Sequence, residues 1–117
     1  MKKFLAIYIG TAHPEWNWMD EGKRKKLEAS GINAWGEWMM AHQRDIVDQG
    51  SPLGKTKRTA AQGLSDTRNN MTGYIVVQAE SHEAAARMFE NHPHFTIFPG
   101  YSVEIMECLP IPGQPQH

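Results

Sequence analysis

The sequence predicts an α+β fold of the split βαβ type, a single antiparallel sheet with two helices on one of its faces. Three observations predict it. Residues of strong β character open and close the chain, Phe4 to Ile9 and Tyr101 to Cys108, and a third such run, Gly73 to Glu80, lies between them. The intervals on either side of that middle run carry three- and four-residue apolar spacing, the mark of amphipathic helices. The 117 residues and 13.3 kDa suffice for one hydrophobic core and are too few for two. One domain over residues 1–109 is expected, with a proline-rich tail over 110–117.

Phe4 to Ile9 is aromatic and β-branched and stops at Gly10, which suits a central strand. It follows Met1-Lys2-Lys3 as a secretion signal would, but the apolar run is short and the small-residue cleavage site is poorly formed. From Thr11 to Trp18, His13-Pro14 and Asn17 favour a loop, with Trp16 and Trp18 too apolar to stay in solvent. Asp20 and Glu21 precede Lys23 to Lys26, the charge order a helix dipole favours. After Ser30-Gly31, the residues Ile32, Trp35, Met39, His42 and Ile46 form one stripe, widened by Trp38, on a main helix expected to end at Gly50.

Pro52-Leu53-Gly54 starts a turn, Lys55 to Thr59 alternates weakly, and Asp66 to Asn70 reads as loop, together a polar hairpin. In the strand that follows, Ile75, Val77 and Ala79 share one face, while Tyr74, Val76, Gln78 and Glu80 share the other. Ser81 is a good N-cap, and Ala84, Ala85, Met88 and Phe89 give the second helix a stripe ending near Asn91. Tyr101 to Cys108 alternates as the last strand, and Pro110, Pro112 and Pro115 forbid regular structure beyond it.

The bulk numbers exclude some classes of function. Twelve Lys plus Arg against thirteen Asp plus Glu leave a net charge of −1, with no field to attract nucleic acid or an anionic membrane. No window approaches the ~18 apolar residues of a membrane-spanning helix. The single cysteine, Cys108, cannot pair within the chain; it sits in an apolar strand pattern, where a buried inert thiol and a reducing, cytoplasmic setting are expected. Gly54-Lys55-Thr56 ends like a phosphate-binding loop, but lacks the earlier glycine and leads into a strand where a helix N-terminus is required.

His92-Pro93-His94, between the second helix and the last strand, is the segment most suited to chemistry. Imidazole exchanges a proton near neutral pH, and proline stiffens the backbone between the two rings. The plain alternative is a pair of surface or helix-end histidines. A sheet covered on one face only leaves the other bare; Tyr8, Tyr74, Val76 and Val103 are expected there, and a second copy is expected to cover them.

Val47 to Gly54, Gly63-Leu64-Ser65-Asp66, Thr72-Gly73-Tyr74, His92-Pro93-His94 and Gly100 to Glu104, in that order and spacing, resemble the YCII-related family of small bacterial proteins over about residues 3 to 109. The resemblance implies a ferredoxin-like protomer that pairs into a dimeric α+β barrel. It also implies a His and Asp pair, but the family's helix histidine falls around Trp35-Gly36, where no titratable group stands. Any chemistry must use a different set.

Two functional readings follow. In the first the protein is a small cofactor-independent enzyme moving a proton, in an elimination or isomerisation, on a small cyclic or aromatic substrate. His94 or His92 is the acid or base, Asp66 the orienting carboxylate, and Trp35, Trp38 and Tyr74 wall the pocket. In the second the same pocket binds a small molecule without turnover, in an accessory or sensor dimer. A metal or haem site built from Glu80, His82, His92 and His94 is disfavoured, because proline restrains the spacing and no further ligand pattern completes the set.

Overall fold

The computed structural model describes residues 1–10 and 14–113. The expected loop at 11–13 and the end of the expected tail, 114–117, lie outside the described residues. Strand β1 runs Lys2–Ile9, helix α1 Glu21–Ala41, β2 Ile46–Pro52, β3 Thr56–Ala60, β4 Gly63–Thr67 and β5 Met71–Ala79. Helix α2 is His82–Arg87, the single turn α3 is Pro93–Thr96, and β6 is Ser102–Glu107. Short 3₁₀ turns occupy Pro14–Asn17 and Gln43–Asp45.

Four strands form one antiparallel sheet in the order β2-β5-β1-β6, the strand order of a ferredoxin-like α+β fold, and β3 and β4 make a separate hairpin between β2 and β5. Phe4, Ala6 and Tyr8 of β1 and Ile75, Val77 and Ala79 of β5 alternate toward a core completed by Trp38 of α1, Ala85 of α2 and Phe89. Both helices therefore lie on one side of the sheet. Val103 and Ile105 pack against the same core. Tyr8 and Val103 thus face the helices, a correction to the expectation that they lie on the bare face. Strand register instead puts Leu5, Ile7, Tyr74, Val76 and Met106 on the outward side.

Helix α1 differs from expectation at both ends of its apolar stripe. It starts at Glu21, with the Asp20 carboxylate accepting the Lys23 amide at 3.2 Å, and runs unbroken through Ser30-Gly31. Gly31 is buried under the Phe98 ring, where any Cβ would collide. It is a contact point, not a break. The helix stops at Ala41 because His42 turns back on it, its amide and Nδ1 both bonded to the Trp38 carbonyl, at 3.1 and 2.9 Å. Ile46 to Gly50, expected as the helix end, are strand. Gly50 does take the left-handed conformation that suggested a helix terminus, with φ 66°, but spends it on a register shift in β2.

The hairpin appears where expected, although Asp66 lies within β4 and not in a loop. The hairpin stands away from the sheet, and the radius of gyration of 16.6 Å exceeds the value of about 13 Å for a compact chain of this length. Cys108 is exposed just past the end of β6, against the expectation of burial, because the inward alternation has ended at Ile105. Among the described residues no helix is long and apolar enough to cross a membrane.

Two glycine substitutions test this account of α1 and β2. A Cβ on Gly50 would sit on the Tyr74 carbonyl, so Gly50→Ala should lower the stability obtained from urea unfolding by about 2 kcal/mol or more. Gly36 is helical with open space around it, and Gly36→Ala should raise the stability by about 0.5–1 kcal/mol.

Candidate functional site

The site grows from a constraint on a single turn of helix. Pro93 is the first residue of α3 and has no amide hydrogen, so the first free donor at that helix start is the His94 amide. The His92 side chain caps it, Nδ1 accepting the His94 N–H at 3.0 Å. That bond fixes the ring: Nδ1 carries the lone pair and Nε2 the proton. Nε2 lies 3.5 Å from the Tyr8 hydroxyl, so His92 donates to the Tyr8 oxygen across a long hydrogen bond.

His92 is completely buried. Trp35 meets it edge-on at a centroid distance of 4.5 Å, and Trp38, Tyr8 and Phe89 close the remaining sides at 4.8, 5.2 and 5.8 Å. Burial, with smaller contributions from neighbouring His94 and His42, lowers its pKa from 6.5 to about 3. It is a neutral ring at physiological pH.

His94 is held differently. Its Nε2 donates to the Ile9 carbonyl at 2.7 Å, which leaves the lone pair on Nδ1. Gly100 makes this packing possible, since a side chain there would occupy the space of the His94 ring. Burial lowers the His94 pKa below its ordinary value, while the Ile9 and Ser102 carbonyls oppose the shift by favouring the protonated ring. Burial also pushes the Tyr8 hydroxyl well above its ordinary value, so it remains a protonated donor.

Beside these groups lies a cavity of about 260 Å³ between α1 and the β2-β5 half of the sheet. Tyr8, Trp35, Met39 and His94 form its inner wall, and Gln49 to Pro52 and Thr72 to Ile75 form its outer one. The outer wall is the paired end of β2 and start of β5, Ser51 opposite Tyr74 and Pro52 opposite Gly73. Thr72 is tied down, its hydroxyl donating to the Tyr8 carbonyl at 3.1 Å. No Asp, Glu, Lys or Arg lines the cavity among the described residues.

Of the residues singled out in the sequence, His94 and Trp35 meet at this cavity, and Tyr74 borders it from a strand position that faces the other side of the sheet, with its carbonyl against Gly50. His92 stands behind it, reaching it through Tyr8. Trp38 lies in the core, its indole donating to the Met88 carbonyl at 2.9 Å, and does not line the cavity. Asp66 is on the hairpin, 85% exposed and paired with Lys57 at 2.7 Å, and does not line it either. Tyr8 escaped the sequence reading, though a signal existed: the alternation Phe4, Ala6, Tyr8 puts a hydroxyl on the helix side of a central strand. Gln49 and Ser51 escaped because that segment read as helix. His82 bonds the Ile105 carbonyl at 2.7 Å, and among the described residues no three His, Cys, Asp or Glu side chains converge as metal ligands would.

The lowered pKa of His92 has a stability consequence. The unfolded chain takes up a proton at this histidine near pH 6.5, and the folded chain does so only near pH 3. Stability must therefore fall as pH falls through that window, by about 1.4 kcal/mol per pH unit from this group alone. Urea unfolding between pH 6 and pH 4 should show that slope, and His92→Phe, which keeps an aromatic ring in place, should flatten it.

No protein-family profile and no curated protein sequence matches the chain. Among solved structures, it is similar to 5-chloro-2-hydroxyhydroquinone dehydrochlorinase from Burkholderia phenoliruptrix AC1100, in complex with 2,5-dihydroxybenzoquinone. The similarity has a TM-score of 0.48 and 12% identity, and it covers 88% of this chain and 89% of the other.

Proposed function

We propose that the protein is a small cofactor-independent enzyme that moves a proton on a small cyclic or aromatic substrate, in an isomerisation or elimination, with His94 as the base. One observation carries the reading: a buried imidazole with its lone pair on Nδ1 and a protonated tyrosine line the same apolar cavity. His94 Nδ1 takes the substrate proton, and the imidazolium that forms keeps its Nε2–H on the Ile9 carbonyl. Negative charge developing on a substrate oxygen is met by the Tyr8 proton, in a site whose apolar walls strengthen that hydrogen bond. Trp35 provides the flat wall against which a ring rests.

A lowered proton affinity favours release of the proton from His94 but weakens it as a base. That supports a second reading, a binding module with the same pocket and no turnover.

Both readings include a second copy of the chain. The outward sheet face carries Leu5, Ile7, Tyr74, Val76 and Met106, and covering it against a like face removes apolar area worth roughly 25 cal/mol per Å². Sedimentation should show a dimer at micromolar concentration; a stable monomer would contradict this.

Proton transfer can be measured without the natural substrate, by following exchange of solvent deuterium into a panel of enolisable cyclic ketones with NMR. A positioned base supplies ~10²–10⁴-fold, so His94→Ala should abolish most of the exchange. A loss of less than tenfold removes His94 from the role, and no exchange with any ketone favours the binding module. The rate should rise with pH through a single limb lying below 6.5, since the free base is the active form and its pKa is lowered.

A further inference from the structure

The hydrogen bonds behind the cavity have a direction, and that direction sets what the cavity can accept. The chain begins at the His94 amide, which can only donate, so His92 Nδ1 accepts and His92 Nε2 must donate to the Tyr8 oxygen. The Tyr8 proton then has no acceptor among the described residues and is free for a ligand. On the other side the Ile9 carbonyl can only accept, so His94 Nε2 donates and Nδ1 is left as an acceptor. The two groups flank one wall, their ring centroids 5.2 Å apart. Thr72 offers no donor, because its proton is committed to the Tyr8 carbonyl, and its oxygen can only accept.

The inner wall thus presents one fixed donor and one fixed acceptor; across from them Gln49 and Ser51 can turn to donate or accept, and no lining residue among those described carries a formal charge. We propose that it selects an uncharged ring bearing both a hydroxyl and a carbonyl, the hydroxyl donating to His94 Nδ1 and the carbonyl accepting from Tyr8, and that it refuses the matching carboxylates. This deepens the preceding reading and rests on the cavity being the ligand site.

A hydroxybenzoate can still donate its hydroxyl to His94 and accept from Tyr8, but its carboxylate carries a full charge into the cavity. That charge would lose hydration with no cation to replace it, the costly case for a buried charge. A methyl ether in place of the hydroxyl leaves Nδ1 buried and unpaired, which costs about 1–3 kcal/mol, or about five- to 150-fold in affinity. Sites that hydrogen-bond a ligand hydroxyl reject analogues lacking it for this reason.

The test uses titration calorimetry on the unmodified full chain at pH 6.5, with the three hydroxyacetophenones, their methyl ethers and the three hydroxybenzoates. At that pH the benzoates are ionised and the phenols are neutral. At least one hydroxyacetophenone should bind about tenfold or more tighter than its ether and about a hundredfold tighter than its benzoate. Tyr8→Phe, checked for folding by circular dichroism, should bring that ketone down to the affinity of phenol itself, which lacks the carbonyl.

A benzoate binding as well as its ketone, or an ether as well as its phenol, overturns the selection rule and leaves the cavity standing as a ligand site. Failure of the whole series to saturate at millimolar concentration overturns both. The ligand series on the unmodified protein decides the matter even where Tyr8→Phe does not fold.

Discussion

The hydrogen bond from the His94 amide to His92 Nδ1 is the constraint on which the site depends. It exists because proline has no amide hydrogen: Pro93 starts the turn of α3, and the next residue supplies the first donor that needs a partner. Serine or aspartate would satisfy that donor locally and end there. Imidazole satisfies it with one nitrogen and projects the other, about one ring width further on, toward Tyr8 in the central strand. A helix cap thereby becomes a means of orienting a hydroxyl on another element of the fold.

The two histidines flanking Pro93 are consequently held differently, although the sequence presents them as equivalents. His92 is wrapped by Tyr8, Trp35, Trp38 and Phe89, stays neutral far below physiological pH and holds its Nε2 against the Tyr8 hydroxyl. His94, two residues on, lines the cavity with one nitrogen tied to the Ile9 carbonyl. Burial costs the protein stability in acid through both rings, and the aromatic cage offsets that cost by the apolar area that it buries. The fold spends stability here to hold two imidazoles in fixed orientation.

Much of the architecture was legible because it rests on short-range patterns. The alternation of β1 and β5, the N-cap at Ser81 and the polar hairpin are each written in residues a few positions apart, and the structure has each of them. The misreadings share a cause. Gly31 and Gly50 are both permissive residues, and sequence cannot say what a glycine permits. At Gly31 it is the approach of Phe98 to an unbroken helix; at Gly50 it is a register shift beside the Tyr74 carbonyl, where a helix end was expected. Trp35 and Trp38 were indistinguishable in the helical stripe, yet the first faces the cavity and the second donates to the Met88 carbonyl in the core.

What the sequence by itself determined is β1, β5 and β6, the two longer helices and the hairpin in their order, and the histidine pair between the second helix and the last strand, because each follows from local sterics and from the period of apolar residues; β2 was hidden in the helical stripe. Only the tertiary structure decided that Tyr8, not Asp66, stands beside those histidines. Tyr8 and His92 are 84 positions apart and come together because β1 lies between β5 and β6 in the sheet, while the hairpin carries Asp66 outward to solvent. Such a meeting depends on strand order and register across the whole sheet, and no interval along the chain records it.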